Sequence, residues 1–165
     1  MSTCTIDTSV LEHLLNPDWN GDGHIHDLLN KLIEIGVCLG RDSKGRIQGE
    51  YRNRLEQRIL EADEADSSAL ILRWAVLYAP TEEIDVNLSD ALGKCIEPKM
   101  RTRGAERSDQ VIVYVAIRLN APLISNNTKH INDLRPQLRK CARRQGYADF
   151  DVFTSRQAFT KIVNN

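Results

Sequence analysis

The sequence predicts an α/β protein, a three-layer α/β/α sandwich with a short, mostly parallel central sheet. Short apolar segments suited to buried strands alternate with longer segments whose apolar residues recur at helical spacing. This alternation is typical of a parallel sheet covered by helices on both faces. The chain has 165 residues and neither an internal repeat nor a Pro/Gly-rich linker, which predicts a single domain over residues 1–165.

The first half of the chain predicts two strands, each followed by helix. Thr8 is a good N-cap residue directly after the first apolar segment, and Gly36 stands where a helix C-cap is expected. The segment 67–78 is apolar nearly all round, which is typical of a buried helix. The predicted elements are a strand at Cys4–Ile6, a helix at Thr8–Leu15, a loop at 16–23, a helix at His24–Ile35, a strand at Val37–Leu39, a polar turn at 40–45, and helices at Glu50–Ala62 and Ser67–Tyr78.

The second half predicts a long apolar helix followed by two short strands. Thr81 and its acidic neighbours are expected to cap a short segment that leads into a helix. Pro136 is expected to interrupt a weak helix. The predicted elements are a helix near Leu88–Cys95, a polar stretch at 94–107, a helix at Ser108–Leu119, a strand at Leu123–Ser125, the weak helix at Thr128–Leu138, a strand at Phe150–Phe153 and a helix at Ser155–Val163.

The overall charge excludes a protein that is basic throughout. The net charge is −1, so any nucleic-acid binding has to come from a local patch. The four cysteines lie far apart without a C-x-x-C motif, so we expect free thiols in a reducing compartment rather than a zinc site or a disulfide framework. No secretory leader or long apolar run is present in the sequence, which predicts a cytoplasmic protein without a membrane partner.

Three acidic residues lie at corresponding places in the predicted α/β pattern. Asp7 ends the first strand, Glu50 begins the helix after the second strand, and Asp109 lies in the first turn of the helix before the third. We expect these element ends to meet at one edge of the sheet, where carboxylates repel one another unless a cation lies between them. Oxygen ligands suit Mg²⁺ or Mn²⁺, which can activate a water and stabilise a phosphodiester.

The segments TIDTSVL, IQGEYRNRL and RSDQVIVYVAIRLNAPLISNN resemble a PIN or PIN-like nuclease domain over Thr3–Asn127. The resemblance implies a metal-dependent phosphodiesterase that acts mostly on RNA, with Asp7, Glu50 and Asp109 as catalytic metal ligands and Ser125 orienting the site. Small proteins of this kind are often toxins or defence effectors held by a partner, which makes a regulatory partner protein or a homo-oligomer an expectation. Whether cleavage is endonucleolytic stays open.

One position departs from the pattern of that family. The family usually has a fourth Asp where this chain has Asn127, whose amide can ligate a cation but supplies no charge. The alternative function is therefore a degenerate module that binds nucleic acid or a partner protein without catalysis. A metal-dependent phosphatase ranks last, because Ser9 stands where an aspartyl-phosphate enzyme would place a second Asp.

Each acid also has a simpler structural interpretation. Asp7 could cap the following helix, and Glu50 and Asp109 could be first-turn residues stabilised by the helix dipole. Glu106 could supplement or replace Asp109, and Glu34 is a lower-ranked alternative to Glu50.

Basic residues cluster on both sides of the Asp109 helix and the strand after it. They could form a rim that binds the phosphate backbone around the acidic centre, or a solvated face. Tyr51 and Trp19 could stack on bases, although such residues more often belong to the core. The candidate nucleic-acid-binding residues are Arg101, Arg103, Arg107, Lys129, Arg139 and Lys140.

Two further motifs are weaker. Asp18, Asn20 and Asp22 copy the start of a calcium-binding loop, but position twelve is Leu29 rather than a carboxylate. A turn is therefore favoured over a calcium site. His24 and His26 lie two apart at a helix start and face different ways, which favours a surface pair over a metal site.

Overall fold

The structure is a computed structural model that describes residues 3–14, 24–61 and 79–163. Several sequence predictions lie outside these residues: Trp19, the possible calcium loop from Asp18 to Asp22, and the helix expected at Ser67–Tyr78. The side chain of His26 lies outside them as well.

In the described part of the chain, five parallel strands form one sheet in the order β3-β2-β1-β4-β5. Pairing aligns Thr3 with Cys38 between the first two strands, and Ile6 with Ile124 between the first and the fourth. The predicted α/β fold with a parallel sheet is confirmed. The strands are β1 (Thr3–Ile6), β2 (Cys38–Asp42), β3 (Thr81–Ile84), β4 (Leu123–Ile124) and β5 (Val152–Phe153).

The helices cover both faces of the sheet. Parallel strands are connected by right-handed crossovers in nearly all proteins. With the strand order of this sheet, that rule places the helices between β1, β2 and β3 on one face and those on the return towards β4 and β5 on the other. The last helix contacts the second, and so returns to the first face. The helices are α1 (Thr8–Leu14), α2 (His24–Glu34), α3 (Arg46–Glu61), α4 (Ala91–Arg101), α5 (Arg107–Arg118), α6 (Arg135–Arg144) and α7 (Ser155–Val163), with a 3₁₀ turn at Asn132–Leu134.

Most predicted elements are confirmed, and the main differences concern polar segments. Strand β3 was expected to be a helix-capping segment, because its residues Thr-Glu-Glu-Ile carry little β signal. Strand β2 extends to Asp42, where a turn was expected, because its last residues pair with β3. Helix α6 runs past the predicted end at Leu138 to Arg144, because Pro136 lies in its first turn, where the missing N–H costs nothing.

Asp42 explains why α3 starts earlier than predicted. Its carboxylate accepts hydrogen bonds from the N–H groups of Arg46 at 2.9 Å and Ile47 at 2.8 Å. These bonds satisfy amides that a helix start otherwise leaves without partners. The helix therefore begins four residues before Glu50.

The core lies on both sides of the sheet, and α5 contributes most to it. Residues 110–117 of this helix are all buried, and α5 contacts both β1 and β2. Tyr51 is fully buried and its hydroxyl donates to the carbonyl of Ile6, so it belongs to the core and base stacking by it is excluded. Leu29, at position twelve of the possible calcium loop, is buried too. No helix in the described part of the chain is long and apolar enough to cross a bilayer.

Two cysteines correct the expectation of free thiols. Cys95 in α4 and Cys141 in α6 form a disulfide, with their Cα atoms 5.8 Å apart and a sequence separation of 46. Wide spacing along the chain says nothing about distance in space, and the packing of α4 against α6 brings the two residues within bonding range. Cys4 and Cys38 are free, as expected.

Candidate functional site

The candidate site lies where the direction of the chain through the sheet reverses. Strands β1 and β4 are neighbours, but the chain leaves β1 towards β2 and leaves β4 towards β5, on the other side. Such a switch point opens a crevice at the carboxyl ends of the two strands, where ligands bind in open α/β sheets. Asp7 directly follows β1, and Ser125 directly follows β4.

Asp7 is a buried carboxylate held by two hydroxyl groups. Its side chain belongs to a residue only 3% exposed. Its Oδ2 accepts from Ser9 Oγ at 2.5 Å and from Ser125 Oγ at 2.7 Å, rather than from the amides of the following helix. Oδ1 is free of these two donors. The side chain of Asp7 is therefore held by hydroxyl groups and does not cap the following helix.

The charge on Asp7 is energetically unfavourable. Burial raises the pKa of this carboxyl, the two serine hydroxyls oppose the rise, and the negative charges of Asp109 and Glu12 raise the pKa further. Acidic neighbours around a buried carboxylate are the arrangement that a bound cation relieves.

Asp109 faces the same crevice from the first turn of α5. Its Oδ2 accepts from the backbone N–H of Glu106 at 3.0 Å, as one half of a capping box. His130 Nδ1 lies 3.3 Å from the same oxygen. The amide of Asn127 donates to Oδ1 at 3.3 Å. The capping interpretation therefore holds for one oxygen of Asp109, while the other faces residues that follow β4.

Glu50 reaches the site from the second turn of α3, so the first-turn interpretation is wrong. Its side chain hydrogen-bonds with Ser108, the residue before Asp109. Burial raises the pKa of Glu50, the hydrogen bond from Ser108 lowers it, and the charges of Asp7 and Asp109 raise it. The negative charges of Asp7 and Asp109 therefore act on Glu50, and the charge of Asp109 also acts on Asp7.

A small polar network supports the acids from the loop after β4. Ser125 Oγ donates to Asp7 and accepts from the N–H of Asn127 at 3.0 Å. Asn127 Oδ1 accepts from the N–H of His130 at 3.2 Å, so its amide nitrogen is the group that meets Asp109. The N–H of Asn126 donates to Ser9 Oγ at 3.0 Å. Both serines that hold Asp7 are thus themselves held by this loop.

The donor set fits a hard divalent cation. Carboxylate and amide oxygens are what Mg²⁺ and Mn²⁺ prefer, and both ions keep several waters, so few protein ligands are needed. Within residues 3–14, 24–61 and 79–163, no three His, Cys, Asp or Glu side chains are grouped tightly enough to hold an ion as they stand. Asp7, Glu50 and Asp109 are the residues whose carboxylates could serve as ligands.

The alternative acids have other positions. Glu34 is exposed at the end of α2 and pairs with Lys31 at 3.0 Å, which places it outside the site. Glu106 is exposed, and its contact with Asp109 is the capping box at the start of α5, in which its backbone N–H donates to the Asp109 carboxylate. Glu12 is an acid that sequence reasoning missed; it influences Asp7 and pairs with Arg54 at 3.0 Å.

The candidate basic residues are mostly exposed, and two of them already have acidic partners. Arg101 pairs with Glu97 one helical turn away. Arg139 lies 3.7 Å from Asp151, which Arg135 also binds. The other candidates, Arg103, Arg107, Lys129 and Lys140, are exposed.

Sequence reasoning also missed His130, Ser9 and Ser108 as site residues. His130 follows Asn127 by three residues, a spacing that lets its backbone N–H reach the side-chain Oδ1 of Asn127. Ser9 and Ser108 stand two residues after and one residue before a predicted acid. Proximity in sequence to those acids was the available signal for the two serines, and proximity to Asn127 was the signal for His130.

Comparisons with known proteins give limited information. No protein-family model and no curated protein matches the chain. Among solved structures, a similar chain belongs to VapBC2 from Rickettsia felis, whose structure was determined bound to a DNA fragment from their promoter. The two chains share 14% identity with a TM-score of 0.49, over 92% of this chain and 98% of the other. A likeness at this level carries no argument about activity, substrate or partner.

Proposed function

We propose that this protein is a divalent-metal-dependent nuclease that hydrolyses phosphodiester bonds. The observation that carries the proposal is the convergence of Asp7, Glu50 and Asp109 at the switch point. Burial and the negative charges of Asp109 and Glu12 raise the pKa of Asp7, and burial and the charges of Asp7 and Asp109 raise the pKa of Glu50. A polyanionic substrate would not approach three carboxylates unless a cation neutralised them.

The chain's own residues would hold and orient the reacting groups. When bound, Mg²⁺ or Mn²⁺ would supply an activated water and charge stabilisation. Ser9 and Ser125 fix the rotamer of Asp7 by binding Oδ2, which leaves Oδ1 turned away from them as the ligand atom. Supporting hydrogen bonds of this kind orient metal ligands.

The substrate proposal is RNA, as the resemblance to PIN-like domains implies. Basic side chains on either side of the acids would bind its phosphates, because charge contacts to the backbone give affinity without reading the bases. Endonucleolytic cleavage, a role as a toxin or defence effector, control by a partner protein or a second copy, and a cytoplasmic location complete this proposal.

The test is cleavage of labelled single-stranded RNA and DNA with Mg²⁺, Mn²⁺ or EDTA. We expect metal-dependent cleavage that Asp7→Asn lowers by at least about 100-fold, since even outer-shell partners of metal ligands have effects of 10- to 100-fold. Glu34→Gln is the matched control, because it removes one acidic charge outside the site. Unchanged cleavage by Asp7→Asn, or equal loss in both variants, would refute the assignment.

A second candidate function rests on Asn127. Its amide already hydrogen-bonds with Asp109, in place of the negative charge that an acid would add there. A module that binds nucleic acid or a partner without cleavage fits this contact. Asn127→Asp distinguishes the two. Activity gained only by this variant indicates a degenerate site, whereas filter binding of nucleic acid without cleavage in any metal indicates a binding module. Absence of cleavage by both proteins, without binding, indicates another function.

A further inference from the structure

A basic concavity lies along α6, in addition to the acidic crevice. Its volume is about 630 Å³, and among the residues that the structure describes it is lined by Pro136 and four cationic side chains, Arg139, Lys140, Arg143 and Arg144. These cations form two rows of residues four apart, Arg139 with Arg143 and Lys140 with Arg144. Like charges at this spacing destabilise a helix, so these residues do not contribute to its stability. An anionic ligand would neutralise them.

The cations of this concavity are poorly neutralised within the protein. Lys140, Arg143 and Arg144 form no ion pair with the described residues. The Nε of Arg139 is buried and has no hydrogen-bond partner among the described residues. Its neighbour Asp151 lies 3.7 Å away and is bound more closely, at 2.7 Å, by Arg135. The helix dipole favours cations in the last turn of α6, but not those in its middle.

The helix that carries the concavity is connected to the elements that carry the acids. Helix α6 follows the loop of Asn127 and His130, and the disulfide between Cys95 and Cys141 attaches it to α4. Helix α4 in turn packs against α5, which carries Asp109. From Arg135 to Arg144 the helix is about 15 Å long, so its cations extend well beyond a single nucleotide at the acids.

We propose that this concavity is an exosite for the phosphate backbone of single-stranded nucleic acid. This inference rests on the proposed nuclease function and specifies its substrate: a polymer that reaches from the acids along α6, rather than a mononucleotide or a dinucleotide. The exosite binds phosphates through charge and does not read bases, so RNA and DNA strands of equal length both occupy it.

The experiment measures binding without cleavage, so that it does not depend on catalysis. Fluorescence anisotropy with 5′-labelled single strands of 4 and 20 nucleotides, both RNA and DNA, is recorded in EDTA over a range of salt concentrations. The wild type should bind the longer strands more tightly. The triple variant Lys140→Gln/Arg143→Gln/Arg144→Gln should lose most of this gain. Its slope of log K against log[salt] should be shallower by about 2, at roughly 0.7 for each lost phosphate contact.

A charge-matched control removes three cations from helices of the other face, Lys31→Gln/Arg52→Gln/Lys161→Gln. This control should retain the gain with strand length. Circular dichroism melting establishes that each variant is folded. If the triple variant does not fold, the single variants Lys140→Gln and Arg143→Gln replace it. Each single variant should lose a smaller part of the gain in affinity with strand length.

The exosite is refuted if the wild type shows no gain with length, or if the control loses as much affinity as the triple variant. Equal binding by the triple variant and the wild type also refutes it. Failure of the nuclease proposal looks different: the wild type does not cleave in any metal, yet the length-dependent binding and its loss in the triple variant are still observed.

Discussion

The disulfide between α4 and α6 should contribute strongly to stability. It joins Cys95 to Cys141 across 46 residues of sequence. Closing a loop of this length in the unfolded chain costs about 14 cal/mol/K of entropy, or about 4 kcal/mol at 25 °C, in the chain-entropy relation. Replacing the pair by Cys95→Ser/Cys141→Ala should lower the free energy of unfolding by about that amount. A chain of this size loses about 2–4 °C of Tm per kcal/mol, which gives about 8–16 °C.

The assay is urea unfolding of the wild type with and without a dithiol reductant, beside the double variant. Reduction and substitution should have similar effects, and Cys38→Ser is the control, since that thiol is free and partly exposed. Thiol titration of the unreduced protein in denaturant should find two of the four cysteines reactive. Four reactive thiols, or equal stability with and without reductant, would show that the cross-link and the reasoning from it are wrong.

Three other predictions concern single residues. Asp7→Asn should stabilise the metal-free protein at neutral pH. Because the pKa of Asp7 is raised in the folded state, the wild type is most stable at low pH and loses stability as the pH rises through that pKa. The difference in melting temperature in favour of the variant should therefore grow from about pH 4 to pH 8, and no such growth should be seen if the shift is absent. Asp151→Asn should have the opposite pattern. Burial by itself would raise the pKa of Asp151, but the hydrogen bonds from Arg135 and Val152 and the charges of Arg135 and Arg139 together lower it below its ordinary value of 3.8. The stability that Asp151 provides is therefore present above that ordinary pKa and lost in acid, so in urea unfolding the variant should be destabilised at about pH 7 but match the wild type near about pH 2. Gly93→Ala should destabilise the protein by about 1–3 kcal/mol, because the new Cβ would lie 2.2 Å from the carbonyl oxygen of Leu88. The Cβ of Gly49→Ala meets nothing within 4 Å, so this variant should stabilise α3 by about 0.5–1 kcal/mol, and equal melting temperatures for the two variants would contradict the reasoning.

Periodicity in the sequence predicted most of the fold. Helix α5 has apolar residues at helical spacing, and the helix predicted at Ser155–Val163 is confirmed as α7. Gly36 ends its helix with a φ of 67°, a conformation that glycine adopts without the strain a side chain would add. These features are local, because each depends on residues within a few positions of one another.

The candidate site was predictable in part. The placement of Asp7 and Asp109 at element ends could be derived from the alternation of strands and helices, and the sheet order then explains why those ends approach each other. The role of Glu50 was less accessible, since the start of α3 depends on Asp42 as its cap. His130 was missed because its contact with Asp109 depends on the path of the loop after β4.

The sequence by itself determined the kinds of element, their order and the acidic residues at their ends. The tertiary structure decided which of those ends meet, that Thr81–Ile84 pairs as an edge strand, and that Cys95 reaches Cys141. Secondary structure follows from backbone and side-chain preferences over a few residues. Contacts between distant segments follow from how the helices pack on the sheet, and no local pattern encodes that packing.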